Sequence, residues 1–302
     1  MIHPTAVIHP EAKISKEVDI GPCVVIGKGV EVGEGTQVKA HSVLEGPHLN
    51  VGKYNEIGPN AHLKSHTTLG DYNKIYPFVS LGGEPQDLKF KGEDSTLEIG
   101  SYNTFREGAT ANRGTVHGGG VTKIGDHNLL MAYVHVAHDC SLGDAIVMAN
   151  NVNLAGHVII EDHVILGGMV GVAQFCRIGK SSYIGGLVAI VKDVPPFLLV
   201  SGNSRNVSIR GVNAIGLKRQ GMKEEVIRRL REVFKILFMG DLTFQDGIAK
   251  IKQEFMGIEE VKYLVSFIEA SKHGVLGRTK EIYVEETQYS RDRHRVSREL
   301  PF

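Results

Sequence analysis

The sequence predicts a mainly β protein: a long parallel β-solenoid built from six-residue repeats, followed by a small α-helical region. Three observations carry this. Aliphatic residues recur every six positions for most of the first two hundred residues, glycine often follows them, and beyond Pro196 the apolar period changes to a helical one. A period of six does not fit 3.6 residues per turn. It fits short strands separated by turns, with one inward aliphatic side chain per segment, three segments making a triangular coil of about 18 residues.

The repeat begins with Ile2, Ile8, Ile14, Ile20, Ile26, Val32, Val38 and Leu44. After a one-residue slip it resumes with Val51, Ile57, Leu63, Leu69, Ile75 and Leu81, and then with Ile99, Phe105 and Ala111. Its longest run goes from Ile124 through Leu130, Val136, Leu142, Met148, Leu154, Ile160, Leu166, Val172, Ile178 and Ile184 to Ile190 without a break. These hexads make roughly ten coils, and at ~4.8 Å per coil the prism is about 48 Å long. Four residues after the aliphatic there is usually a small or β-branched residue, such as Ala6, Val18, Val24 or Thr36. Residues 82–96 and 112–123 break the period and read as loops ejected from the prism; a solenoid has no structural need of them, so they are candidates for binding.

Pro195-Pro196 is expected to end the repeat, which sets the solenoid at residues 1–200. Gly202 to Gly221 looks irregular. Val226, Leu230, Val233, Ile236 and Leu237 then mark a helix from about Met222, and Thr243 to Phe255 and Ile258 to Lys272 mark two more, for a helical region over 201–274. Residues 275–302 carry many charges of both signs with little periodicity and read as a loosely ordered tail.

Composition narrows the function. Formal net charge is zero, which gives no support for nucleic-acid binding. No apolar run approaches the ~18 residues that span a bilayer. The N-terminus lacks the pattern of a secretory signal, and Cys23, Cys140 and Cys176 are few and far apart, which fits a reducing cytosol. Glycine supplies 36 of 302 residues, well above the usual ~7%, as expected where backbones approach closely or take positive φ.

The chemistry gathers in Met131 to Cys140. If residues 18 apart stack, His138 lies over Gly156 and Gly156 over Gln174, with His157 adjacent. His138 suits general-base work near neutral pH, Asp139 is placed to fix its tautomer, and the Gly156 N–H is placed to meet an oxyanion. Successive strand residues point to opposite faces, so the His138–Asp139 pairing awaits the fold. Two other readings stay open: His135, His138 and His157 as a three-histidine zinc site, and a purely structural solenoid. Lys218, Arg219, Lys223, Arg228, Arg229, Arg231 and Lys235 make the first helix basic, either as a solvated face or as a dock for an acidic partner.

Together the motifs His135-Val-Ala-His-Asp-Cys140, Leu154-Ala-Gly-His157, Gln86-Asp-Leu-Lys89, Asn112-Arg-Gly-Thr115, Gln174-Phe-Cys176, Asp193-Val-Pro-Pro196 and Gly216-Leu-Lys-Arg219 resemble the UDP-N-acetylglucosamine O-acyltransferases of lipid A biosynthesis, over about residues 1–273. The resemblance implies a left-handed parallel β-helix and a homotrimer with active sites between subunits. It also implies a cytoplasmic enzyme that needs no metal or cofactor and takes its acyl chain from the thioester of acyl carrier protein. By the same resemblance His138 is the base, Asp139 its partner and Gly156 the oxyanion donor. Asp87, Lys89, His135, His157, Gln174, Asn213 and Arg219 bind the UDP-amino sugar, and Gly186 measures acyl length. Four positions depart from the family pattern: Ala173 and Asn112 replace histidines, Ile215 an acidic residue and Gln220 an arginine. These leave open an acceptor other than UDP-N-acetylglucosamine, such as a 3-amino sugar.

Overall fold

The computed structural model describes residues 1–202, 207–272 and 274–276. It is a left-handed parallel β-helix capped by helices. Most strands are two residues long, the first exposed and the second buried, as in Asp19–Ile20, Glu31–Val32 and Gln37–Val38. They stack into three sheets of 10, 9 and 11 strands, parallel throughout but for the last strand of the third. The inward residues of all three faces form one core, in which Ile57, Leu63, Phe105, Leu130, Met148 and Ile184 are wholly buried. Burial of this apolar column drives the fold. Corners are turned by single residues in the left-handed region, including Tyr133 (φ 59°), Asp139 (φ 60°) and Ala145 (φ 54°). The glycines that follow the aliphatics serve close approach: a Cβ on Gly33 would stand 2.6 Å from the Gly52 backbone of the next coil.

The column also has a polar ladder inside one corner. Asn55, Asn73, Asn103 and Asn128 are buried there, and each side-chain oxygen accepts the backbone N–H of the residue one coil on, ending at Ile146 N–H. Their amide groups donate to Gly70, Gly100, Gly125 and Gly143 carbonyls. Turn amides and carbonyls that face no strand partner are satisfied in this way.

Coil register is 18 residues where the repeat is regular, as in Val136 opposite Leu154. It opens to 30 across the first loop, where Leu69 pairs with Ile99, and to 25 across the second, where Ile99 pairs with Ile124; the loops therefore add 12 and 7 residues. Both are tighter than expected. Thr96 and Val121 to Lys123 are not ejected but extend four-residue strands, Thr96–Ile99 and Val121–Ile124, that pair along their whole length at the loop roots.

The prolines at 195 and 196 follow the last regular hexad, and one more coil strand comes after them. Leu198–Ser201 adds a further parallel strand against Tyr183–Ile184, and Ser208–Val212 folds back on it antiparallel. The segment expected to be irregular also contains helix α1, Ala214–Arg219, capped by Asn213. Helices α2 (Glu224–Phe234), α3 (Phe244–Glu254) and α4 (Glu259–Ala270) follow, with a π-helical turn at Lys235–Met239. They pack around Leu217, Ile227, Leu230, Val233, Leu237, Ile251 and Leu264 as a second core. A polar junction joins this core to the solenoid: the Tyr263 hydroxyl donates to Glu161 (2.6 Å), which also accepts from Arg177 and the Lys180 N–H. Val275 and Leu276 belong to the folded body, since Val275 bridges to Asp193 and Leu276 is buried in the solenoid core. The rest of the expected tail lies outside the described residues.

Candidate active site

A cleft of about 480 Å³ runs along one face of the prism, lined by Gln86, His135, His138, Asn153, Gly156, Ala173 and Gln174 and continued by Gly171, Val172, Ala189, Ile190 and Val191. One end is polar and holds the histidines, and the other is small and apolar. The stacking predicted for His138 holds, because no insertion separates its coil from the next: an ideal Cβ on Gly156 would lie 2.5 Å from His138 Cε1 and 2.8 Å from Nε2. Only a residue without a side chain admits the ring there. The Gly156 N–H has no hydrogen-bond partner among the described residues.

Asp139 converges on His138 although the two are neighbours in sequence. They lie in a corner rather than a strand, and the left-handed backbone of Asp139 swings its carboxylate back under the imidazole. His138 Nδ1 and Asp139 Oδ2 are 2.8 Å apart. The Asp139 side chain is wholly enclosed. It accepts from the Thr115 N–H at Oδ1 and from the Thr115 hydroxyl at Oδ2, both at 2.7 Å, while its own N–H donates to the Thr122 hydroxyl. An ionised carboxylate only accepts, so in the neutral tautomer that pairs with it Nδ1 donates to Asp139 and Nε2 offers a lone pair.

The other histidines are held in turn. His157 meets His138 edge-on at 5.3 Å, stacks on Phe175 at 4.6 Å, and its Nε2 stands 3.7 Å from Asp139 Oδ2. His135 Nδ1 and the Thr110 hydroxyl are 2.8 Å apart, and burial, helped by the charge of His138, holds the His135 imidazole below its ordinary pKa. Gln174 is exposed at the rim. In the first loop, Asp87 accepts the Lys89 N–H at 2.9 Å, which together with the nearby His138 keeps its exposed carboxyl below the usual range. Asp87 and Lys89 do not themselves line the cleft, whereas their neighbour Gln86 does.

Asn213, Arg219 and Gly186 are not brought to this cleft. Asn213 caps α1 by accepting the Gly216 N–H and donates to the Ser181 carbonyl. Arg219 is exposed at the end of α1. Gly186 sits at a different corner, stacked on Gly168. Of the basic residues, Arg228, Arg229 and Arg231 pair with Glu225, Glu232 and Glu224 on their own helix. Among the described residues Lys218, Arg219, Lys223 and Lys235 have no ionic partner, so three of these four unpaired cations lie on α1 and at the start of α2. The four departures sort by position. Only Ala173 lines the cleft. Asn112 donates to the Glu84 carbonyl at the root of the first loop, Gln220 accepts from Ser181, and Ile215 is exposed.

Sequence spacing missed Thr110, Thr115 and Thr122. The first two lie 25 and 24 residues before their partners His135 and Asp139, because the second loop intervenes, so an 18-residue rule cannot find them. Burial pushes the Cys140 thiol up to about 12, and its Sγ donates to the Ala155 carbonyl; it packs and is no nucleophile. The tightest metal-capable group among the described residues is His138, Asp139 and His157 rather than the three histidines, with ligand atoms within 4.8 Å. A cation there would displace the hydrogen bond between His138 and Asp139.

A left-handed β-helix of hexads followed by a small helical region is the fold that this chain shares with the acyltransferases it resembles. The family model of UDP-N-acetylglucosamine O-acyltransferase domain 2 matches residues 193–276, and that of the GMPPB C-terminal domain matches residues 2–84. The acyl-[acyl-carrier-protein]--UDP-N-acetylglucosamine O-acyltransferase of Anaeromyxobacter sp. is 42% identical over 213 residues, 70% of this chain and 82% of the relative. That of Thermodesulfovibrio yellowstonii is 44% identical over 230 residues, 76% and 88%. Among solved structures, the UDP-N-acetylglucosamine acyltransferases of Bacteroides fragilis (TM-score 0.78, 38% identity, 91% of this chain and 99% of that one) and Francisella novicida (0.76, 38%, 92% and 94%) match the fold. The chain belongs to the UDP-N-acetylglucosamine O-acyltransferase family.

Proposed function

We propose that this acyltransferase moves a 3-hydroxyacyl chain from acyl carrier protein to the 3-hydroxyl of UDP-N-acetylglucosamine, the first step of lipid A biosynthesis. The observation that carries the reading is the arrangement of His138 between the enclosed Asp139 carboxylate and the Gly156 backbone, at the head of an apolar cleft. His138 Nε2 takes the proton of the sugar hydroxyl as the oxygen attacks the thioester carbon. The tetrahedral oxyanion meets the Gly156 N–H, and the thiol of the carrier leaves as the ester forms. His138 returns the proton to the departing sulfur, so no covalent enzyme intermediate and no metal take part. General-base catalysis of this kind is worth ~10²–10⁴ in rate, and one oxyanion donor ~10²–10³.

The acyl chain runs along Gly171, Val172, Ala189, Ile190 and Val191, a stretch of the cleft with no polar side chain. Acyl carrier protein, an acidic partner, docks on Lys218, Arg219 and Lys223 more than on the arginines already paired within α2. The working unit is a homotrimer in which a neighbour supplies Gly186, Asn213 and Arg219 to the cleft of His138. Supporting this, Phe78, Tyr133, Met169 and Leu187 are all exposed along one corner beside Gly186, an apolar stripe of the kind subunits bury. The enzyme works in the cytoplasm, in keeping with its three scattered free cysteines; no helix of the described residues is long and apolar enough to cross a membrane.

Ala173 favours one alternative acceptor. Where the family resemblance expects a histidine, Ala173 removes one polar contact from the cleft, which leaves a sugar bearing a 3-amine as the competing substrate. Product analysis by mass spectrometry and NMR tests the choice: UDP-N-acetylglucosamine and its 3-amino analogue are each offered with 3-hydroxyacyl carrier protein. An ester at the 3-position formed at the higher kcat/KM supports the reading, and preferential amide formation moves the acceptor.

A further inference from the structure

We infer that Thr115 is a positioning residue for acyl transfer, holding the Asp139 carboxylate in the orientation that fixes His138. This rests on the reading of His138 as the base. Thr115 lies in the second ejected loop, three per cent exposed, and reaches the carboxylate with two groups at once: its N–H to Oδ1 and its hydroxyl to Oδ2, each at 2.7 Å. The direction of the second bond is settled by the turn that follows. Thr115 Oγ1 accepts the Gly118 N–H at 3.1 Å as the cap of the turn Val116–Gly118, so its own proton is turned to the carboxylate, which can only accept. The loop is seated on Asp139 without clearance: a Cβ on Gly118 would fall 2.0 Å from Asp139 Cγ. On the other side, Thr122 accepts the Asp139 N–H at 2.7 Å.

The carboxylate therefore has both oxygens tied by one residue, and the remaining direction of Oδ2 is the one His138 Nδ1 uses. The loop over residues 112–123 reads from sequence as a candidate for binding, and the contacts of Thr115 and Gly118 make it the cradle of the buried acid. Without the hydroxyl, Oδ2 loses one of its two close donors and the carboxylate gains freedom to rotate about its Cβ–Cγ bond. His138 then samples orientations in which Nε2 no longer faces the acceptor hydroxyl. A residue that acts this way lowers kcat and leaves substrate binding alone.

The test uses the full chain with 3-hydroxyacyl carrier protein and UDP-N-acetylglucosamine, and compares wild type with Thr115→Val, Thr115→Ser, Asp139→Asn, Thr115→Val with Asp139→Asn, and His138→Ala. Thr115→Val keeps the backbone donor and the volume. It is expected to lower kcat about tenfold or more with both KM values within about twofold, and Thr115→Ser to recover kcat to within about threefold. In the Asp139→Asn background Thr115→Val should add less than about twofold, because the two act as one unit. Thermal unfolding checks the fold, and Thr115→Ala takes the place of Thr115→Val if the latter does not fold. A Thr115→Val enzyme within about twofold of wild type, or an effect that multiplies fully with Asp139→Asn, overturns the role of Thr115 while leaving the base reading intact. Full transfer by His138→Ala overturns the base reading and this inference with it.

Discussion

Replacing Gly156 with alanine isolates the position of the His138 ring from everything else at the site. The Ala variant keeps the backbone N–H, so the oxyanion donor survives, and Gly156 is not among the left-handed glycines, so the backbone is not strained. What changes is one methyl group, placed 2.5 Å from His138 Cε1, 2.8 Å from Nε2 and 3.1 Å from Nδ1. Carbon atoms pack at about 3.5–4.0 Å, so the ring must retreat by roughly 1 Å. The retreat takes Nδ1 away from Asp139, and a hydrogen bond to a charged group is worth about 1.5–3 kcal/mol. Loss of that orientation corresponds to roughly a 10- to 150-fold fall in kcat at 1.36 kcal/mol per decade. A ~1 Å displacement of a catalytic group costs about 10²-fold by an independent argument. Steady-state transfer from 3-hydroxyacyl carrier protein reads the effect, with melting temperature as the control. In the His138→Ala background the same methyl should cost less than about threefold, since the ring it displaces is gone. A Gly156→Ala enzyme within about threefold of wild type would refute the stacking argument.

Other predictions follow from the same geometry. Asn103→Leu removes a rung of the buried ladder and leaves the Gly125 carbonyl and the Asn128 N–H without partners; at about 1–3 kcal/mol each, a loss of roughly 2–6 kcal/mol is expected in denaturant unfolding. In the native protein at pH 8 iodoacetamide should label Cys23, which is exposed, and spare Cys140 and Cys176, whose thiols burial pushes up to about 12; mass spectrometry counts the adducts. Because burial depresses the His135 pKa, its NMR titration should fall below 6.5. The sign follows: the unfolded chain binds that proton more readily, so the contribution of neutral His135 is whole above 6.5 and lost as pH falls through the folded value, and His135→Gln should flatten the acid side of the stability curve. Tyr263→Phe removes the hydroxyl that donates to Glu161, and should loosen the helices from the solenoid by about 1.5–3 kcal/mol, seen as earlier proteolysis of the segment after α3.

Where the hexad ran unbroken, sequence arithmetic reached atomic detail. From Ile124 to Ile190 every coil is 18 residues, so His138 over Gly156 followed from counting alone. Across the two loops the count fails by 12 and by 7, and the contacts that cross them, Thr110 to His135 and Thr115 to Asp139, were invisible. The positions four after each aliphatic read as small or β-branched. Along one corner they are asparagines, whose amides answer turn groups that only the three-dimensional coil exposes. The short α1 escaped because six residues show no period, and its signal is the capping Asn213. The pairing of His138 with Asp139 needed the corner: alternation along a strand separates neighbours, and a left-handed residue reunites them. Arg219, Asn213 and Gly186 are legible only as motif positions, and within one chain they do not line the cleft.

The central claim is that His138 is the base of a direct acyl transfer. Its most direct test is the pre-steady-state rate of transfer from 3-hydroxyacyl carrier protein to UDP-N-acetylglucosamine by wild type and by His138→Ala. The account predicts a fall of ~10²–10⁴ in the chemical step, with no burst of free carrier thiol before product and no acylated enzyme trapped by either protein. Transfer by His138→Ala at the wild-type rate, or an acyl-enzyme that forms and decays at the rate of turnover, would contradict it.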